Sequence, residues 1–196
     1  MSISIYTNII KCDNMCFFKQ CGGSFMIKKY VLPMVSVCAL LSSSVFASPV
    51  LMSSDWANEA CQEWNNEKVL TDSLAENWIK NDKDRGYKVM QIYRSDCANS
   101  GKIELTIANK NGKAVCVYGG VVKHASVDTD VDYTMWADTK RWKEMGAGDY
   151  GPMKAMMFGR LNFAGPKVEA MGNMGPFEKF LLLAGKVDST ADTCPN

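Results

Sequence analysis

The chain has 196 residues, 22 Lys+Arg against 21 Asp+Glu, and 47% hydrophobic residues, enough for one good core. A net charge of +1 argues against the broad basic footprint of a nucleic-acid partner and against an acidic disordered tail. One histidine in the whole chain argues against a His-based metal centre or a multi-histidine catalytic site.

Residues 1–25 carry Cys12, Cys16 and Cys21, but no fourth ligand lies near enough to complete a zinc site. Met26 offers a second start, so residues 1–25 read as a mis-annotated leader. Lys28 and Lys29 open a positive region, and Tyr30 to Leu41 is mostly apolar. That run of about 12 residues is short of the ~20 that span a bilayer. Val45-Phe46-Ala47 before Ser48 fits a signal-peptidase site, so 26–47 reads as a signal peptide and the protein as periplasmic or secreted. Beyond it the charge falls to about −2 by the same count of residue types. Cys61, Cys97, Cys116 and Cys194 remain, an even set that predicts two disulfides in an oxidising compartment. Three pairings are open. The absence of a CxxC argues against a redox-active pair.

Residues 48–69 read as a linker and a helix, with Trp56, Ala60, Cys61 and Trp64 on one face. Ser73 with Glu76 predicts a capping box opening a second helix, whose stripe is Leu74, Trp78 and Ile79. Asn81 to Gly86 is a polar stop. A strand follows over Val89 to Arg94, and Ile103, Leu105 and Ile107 alternate with polar residues in a second. Asn111-Gly112 predicts a type I′ hairpin into Ala114 to Tyr118. Val131, Tyr133 and Met135 alternate again, completing an expected antiparallel meander. Thr139 to Met145 predicts a short helix. Pro152 predicts the first turn of another, with Met153, Met156 and Met157 on one face. Arg160 to Phe163 is a fifth strand, Val168 and Met171 mark a further helical turn, and Pro176 to Ala184 forms the last helix. Residues 186–196 are a polar tail. The fold class is α+β, a five-stranded, mainly antiparallel sheet covered on one face by helices.

Little in this pattern carries catalysis. His124 beside Ser126 lacks a GxSxG elbow and a third partner, so it reads as a surface histidine and no catalytic residue is assigned. Asp128, Asp130 and Asp132 lack the glycine and glutamate of a calcium loop and read as outward carboxylates of a strand and its entry turn. No phosphate-binding loop and no cofactor site is expected. The methionines stand out, since seven follow residue 134. Flexible, polarisable thioethers suit an adaptable apolar cavity. An alternative uses Met153-x-x-Met156 and Met171-x-x-Met174 as soft pairs for Cu(I) in a periplasmic copper protein.

From Val131 to Phe180 the chain resembles the sterol carrier protein 2 (SCP-2) family. The resemblance rests on Asp132-Tyr-Thr-Met-Trp-Ala-Asp138 with Trp142, on Gly159-Arg-Leu-Asn-Phe-Ala-Gly165, and on the closing apolar helix. It extends over an SCP2-like lipid-binding domain at 70–185. It implies a non-enzymatic carrier with an apolar tunnel between sheet and helices, an apolar lipid as partner, and transient membrane contact. Met153, Met156, Met157, Met171, Met174, Phe177, Phe180 and Leu181 are the expected wall residues. The last helix is the expected lid, with Gly172 and Gly175 permitting its motion.

Overall fold

The computed structural model describes residues 47–99 and 101–195. The leader at 1–25 and the signal peptide at 26–47, save its last residue, lie outside the described residues. In chain order the elements are α1 (Ser54–Asn66), α2 (Lys68–Ser73), β1 (Tyr87–Arg94), β2 (Ile103–Lys110), β3 (Lys113–Val121), β4 (Tyr133–Ala137), α3 (Thr139–Gly146), α4 (Pro152–Met157), β5 (Asn162–Ala164), α5 (Lys167–Gly172) and α6 (Met174–Lys186).

The five strands form one sheet in the order β3-β2-β1-β4-β5. β1 and β2 pair antiparallel, as do β2 with β3 and β4 with β5. Asn111 and Gly112 turn the β2–β3 hairpin with φ of 52° and 73°, the left-handed backbone a type I′ turn needs. The expected meander fails at β4, which runs parallel to β1, with Met90 beside Tyr133 and Ile92 beside Met135. After edge strand β3 the chain must therefore cross the outer sheet face to reach β4.

Buried polar groups pin this crossing. Glu104, with no exposed surface, accepts the backbone N–H groups of Lys123 (3.1 Å) and His124 (2.9 Å) and the Thr106 hydroxyl (3.0 Å). His124 Nδ1 lies 2.7 Å from Glu104 Oε1, and Gln91 Nε2 donates to the His124 carbonyl at 2.6 Å. Asp132 is 1% exposed, against the expectation of an outward carboxylate. Arg85 grips it with both guanidinium nitrogens at 3.0 and 2.7 Å, and Val89 N and Asp128 N donate to it at 2.8 and 3.0 Å. A buried carboxylate is tolerated when its lone pairs are filled in this way. Asp130 is exposed and Asp128 half-buried, and both meet Lys83.

The expected capping box does not form. Ser73 closes α2 instead of opening a helix, and residues 74–80 are turns. Leu74, Trp78 and Ile79 are nonetheless buried, so apolarity decided their place although the backbone differs. On the helical side, α1 lies against β3. Gly119 permits the approach, because a Cβ there would stand 2.1 Å from the Ala57 carbonyl oxygen. Asn65 caps this sheet edge like a neighbouring strand, donating to Cys116 O at 2.9 Å and accepting from Cys116 N at 2.8 Å.

The four cysteines pair as Cys61–Cys116 and Cys97–Cys194. The first ties α1 to β3. The second ties the polar tail to the loop after β1, where Arg94 donates to the carbonyls of Thr193 (2.7 Å) and Ala191 (3.2 Å).

Candidate functional site: an aromatic hollow beneath α5 and α6

Alternate residues of a strand share a face, so Met90 of β1 and Tyr133 and Met135 of β4 project together towards the helices. They floor a half-enclosed hollow whose walls are Trp64, Leu70, Leu74 and Trp78, and whose roof is Ala170, Asn173, Pro176, Phe177 and Phe180. The empty space is about 360 Å³ including the part open to solvent, but the centre of a water-sized sphere can travel through only about 30 Å³ of it. A dry cavity of about 150 Å³ accepts one benzene. The walls must therefore part before a long chain enters.

Aromatic rings dominate the enclosure. Trp78 stacks on Tyr133 with centroids 6.0 Å apart, Trp64 lies 6.2 Å from Trp78, and Phe177 stacks on Phe180 at 6.0 Å. Their polar atoms have hydrogen-bond partners within the protein. Trp64 Nε1 donates to Ala114 O at 2.9 Å, and Trp78 Nε1 donates to the Tyr133 hydroxyl at 3.2 Å. Burial first, then the nearby Glu169 charge, pushes that hydroxyl's pKa far up, so it remains protonated.

The expected wall residues separate into three groups. Phe177 and Phe180 line the hollow. Met153, Met156, Met157 and Met171 line a different, open groove beside β5, together with Leu161 and Phe163. Met174 and Leu181 are not among the lining residues of either, although Leu181 is buried in the core. α4 buries Pro152 and Ala155, which turns its methionine face outward. Met157 is 73% exposed and Met171 58%. The hollow's own methionines are Met90 and Met135, which lie on strands.

The expected lid is also differently built. α6 presses on α3 so closely that a Cβ on Gly185 would stand 2.4 Å from Gly146 O, and Phe180, Leu181, Leu183 and Ala184 are buried. Gly172 and Gly175 have open space around them and no left-handed backbone. The six-residue α5 buries only Ala170 among its residues. It is the less buried part of the roof.

The family model of the SCP-2 sterol transfer family matches residues 71–178, more than half of the chain and every lining residue of the hollow except Trp64, Leu70 and Phe180. The chain belongs to this family. Among solved structures, a conserved hypothetical protein of Thermus thermophilus is similar at 19% identity, with 74% of this chain and 94% of that chain covered and a TM-score of 0.49. A sterol carrier protein 2 is similar at 18% identity, with 70% and 99% covered and a TM-score of 0.48. A sterol carrier protein domain of Helicoverpa armigera is similar at 16% identity, with 74% and 99% covered and a TM-score of 0.37. No curated protein matches the chain. Within the SCP-2 family pattern, the matched segment here runs from α2 into α6 and so includes the floor and most of the roof of the hollow.

Proposed function

We propose that this protein is an exported, non-enzymatic carrier that binds one apolar chain in the aromatic hollow and moves it to or from a membrane. The observation that carries this reading is the hollow, whose described lining is hydrophobic except for Asn173 and lies mostly within the segment matched to a sterol transfer family. Each buried methylene contributes about 0.8 kcal/mol, so a chain of a dozen carbons offers on the order of 10 kcal/mol before ordering costs, without directed hydrogen bonds. The two disulfides support export, since such bonds persist in oxidising compartments.

The displaced methionines fit the membrane half of this role. Met153, Met157, Phe158, Val168 and Met171 are exposed, and Lys154 and Lys167 lie among them in the chain, with Lys154 exposed. Apolar side chains with lysines among them suit an anionic bilayer surface. This patch lies on α4 and α5, and α5 is the less buried part of the roof, so contact with a membrane and opening of the hollow occur at one place.

Native mass spectrometry of protein purified from an exporting host tests the reading. Co-purified lipid is expected, and Phe180→Asp, which puts a charge on the wall, should empty the protein. Replacing Met156 and Met157 by leucine should leave lipid retention unchanged, because volume and apolarity persist. The gathering of Met153, Met156, Met157 and Met171 in one groove favours a second reading, a Cu(I) site of thioethers. Stoichiometric copper without lipid, lost in the leucine variant, would replace the carrier reading with that one.

A further inference from the structure

Lys88 has no exposed surface. It precedes Met90 by two residues on β1, so it projects from the same sheet face as the hollow's floor. Its ammonium lies 4.5 Å from the centre of the Trp78 ring and 5.4 Å from that of the Tyr133 ring, two of the rings that enclose the hollow. It donates to Trp78 O at 3.1 Å and to both carboxylate oxygens of Glu169, with Oε2 at 2.9 Å. Asn81 Nδ2 donates to Glu169 Oε2 at 2.7 Å. Lys88 and Asn81 thus form a receptor with the geometry of a carboxylate, beside the Trp78 and Tyr133 rings of the hollow.

The carboxylate now in that receptor belongs to α5, next to Ala170 in the roof. A buried ion pair contributes little net stability compared with apolar packing, whereas a buried cation left without its partner costs several kcal/mol. Burial pulls the Lys88 ammonium below the usual lysine range, and Glu169 offsets part of that pull. While Lys88 is charged the site therefore calls for an anion, but not for this particular anion.

We propose that Lys88 and Asn81 bind the carboxylate head of a single-chain fatty acid whose tail fills the hollow, and that Glu169 occupies the head site when no ligand is bound. Exchange of one carboxylate for the other keeps Lys88 paired throughout. It also releases α5 from β1, widening a hollow that is otherwise too narrow for a chain. Glu169 moves outward into water, where its charge is hydrated. Head recognition and opening of the roof become one event. This inference rests on the carrier reading and specifies its ligand.

Displacement of the uncharged dye Nile red by palmitic acid and by hexadecanol, which has the same chain without the charge, tests it. The native protein should prefer palmitate by about tenfold, the scale of one charge-assisted hydrogen bond. Glu169→Gln, which weakens the internal competitor with little change of shape, should tighten palmitate binding about fivefold or more and hexadecanol binding less. The double variant Lys88→Met/Glu169→Gln leaves no unpaired charge and should bind both probes alike. Equal binding of both probes to the native protein, or a preference that survives in the double variant, overturns the head site and leaves the carrier intact. Failure of both probes on native protein and on Glu169→Gln overturns the carrier and the head site together. Should the double variant not fold by circular dichroism, Glu169→Gln decides alone, and unchanged palmitate affinity in it refutes the exchange.

Discussion

Glu104 and Asp132 show how single side chains set the path of the chain. Neither has appreciable exposure, and each collects backbone N–H groups from the segment that crosses the outer sheet face. Burial pushes the Glu104 carboxyl up, but donation from His124 and Thr106 outweighs it and holds the group below the usual carboxylate range. A carboxyl depressed in the folded state stabilises the fold above its unfolded value, near 4.3, and loses that contribution as pH falls through the folded value. Glu104→Gln should therefore destabilise the protein by about 2 kcal/mol at neutral pH, since hydrogen bonds to a charged group are lost. Urea unfolding should show this deficit shrinking once the pH drops below the folded value, and an equal deficit at neutral and strongly acid pH would refute the assignment.

Among the elements, α3 and α6 depend on two glycines facing each other. A Cβ at Gly146 would lie 2.5 Å from Gly185 N, and one at Gly185 would lie 2.4 Å from Gly146 O. Both obstacles are backbone, so no side chain can swing aside and the helices themselves must separate. Gly185→Ala gains up to about 1 kcal/mol of helix propensity against an overpacking cost of about 1–3 kcal/mol. The expected net result is a loss of stability and, because Phe180 travels with α6, a lower affinity for apolar ligands. Gly172→Ala at the end of α5 meets no atom within 4 Å and should raise stability by about 0.4–1 kcal/mol. Thermal unfolding of the two variants should thus shift in opposite directions.

On the scale of the molecule, the disulfides join distant parts of the chain. Cys61–Cys116 closes a separation of 55 residues and Cys97–Cys194 one of 97. Loop-closure entropy puts the second at up to roughly 5 kcal/mol, with about 2–5 kcal/mol the usual experimental range. The Cys97→Ala/Cys194→Ala variant should lose about that much in denaturant unfolding, and its tail should become open to protease although Arg94 still reaches it. A loss below about 0.5 kcal/mol would mean that the hydrogen bonds to Thr193 and Ala191 suffice to hold the tail.

Much of this protein is written locally. The Asn111-Gly112 turn, the helices at Trp56–Trp64, Thr139 and Pro152, the five strands and the number of disulfides all follow from short-range periodicity, turn chemistry and cysteine count, and the structure contains them. The family resemblance rested on local patterns of the same kind. The choice of cysteine partners, the parallel pairing of β4 with β1 and the burial of Asp132 depend on residues far apart in sequence, which no local period encodes. The hollow is the sharpest case. Periodicity put Met153, Met156 and Met157 on one helix face, but a face becomes a wall only when another element packs against it. α4 buries its Ala155 side, so the thioethers face outward and Met90, Met135, Trp64, Trp78 and Tyr133 enclose the space instead. Amphipathic order along the chain settled most of the elements, the helix expected after Ser73 excepted; packing between elements settled what they surround.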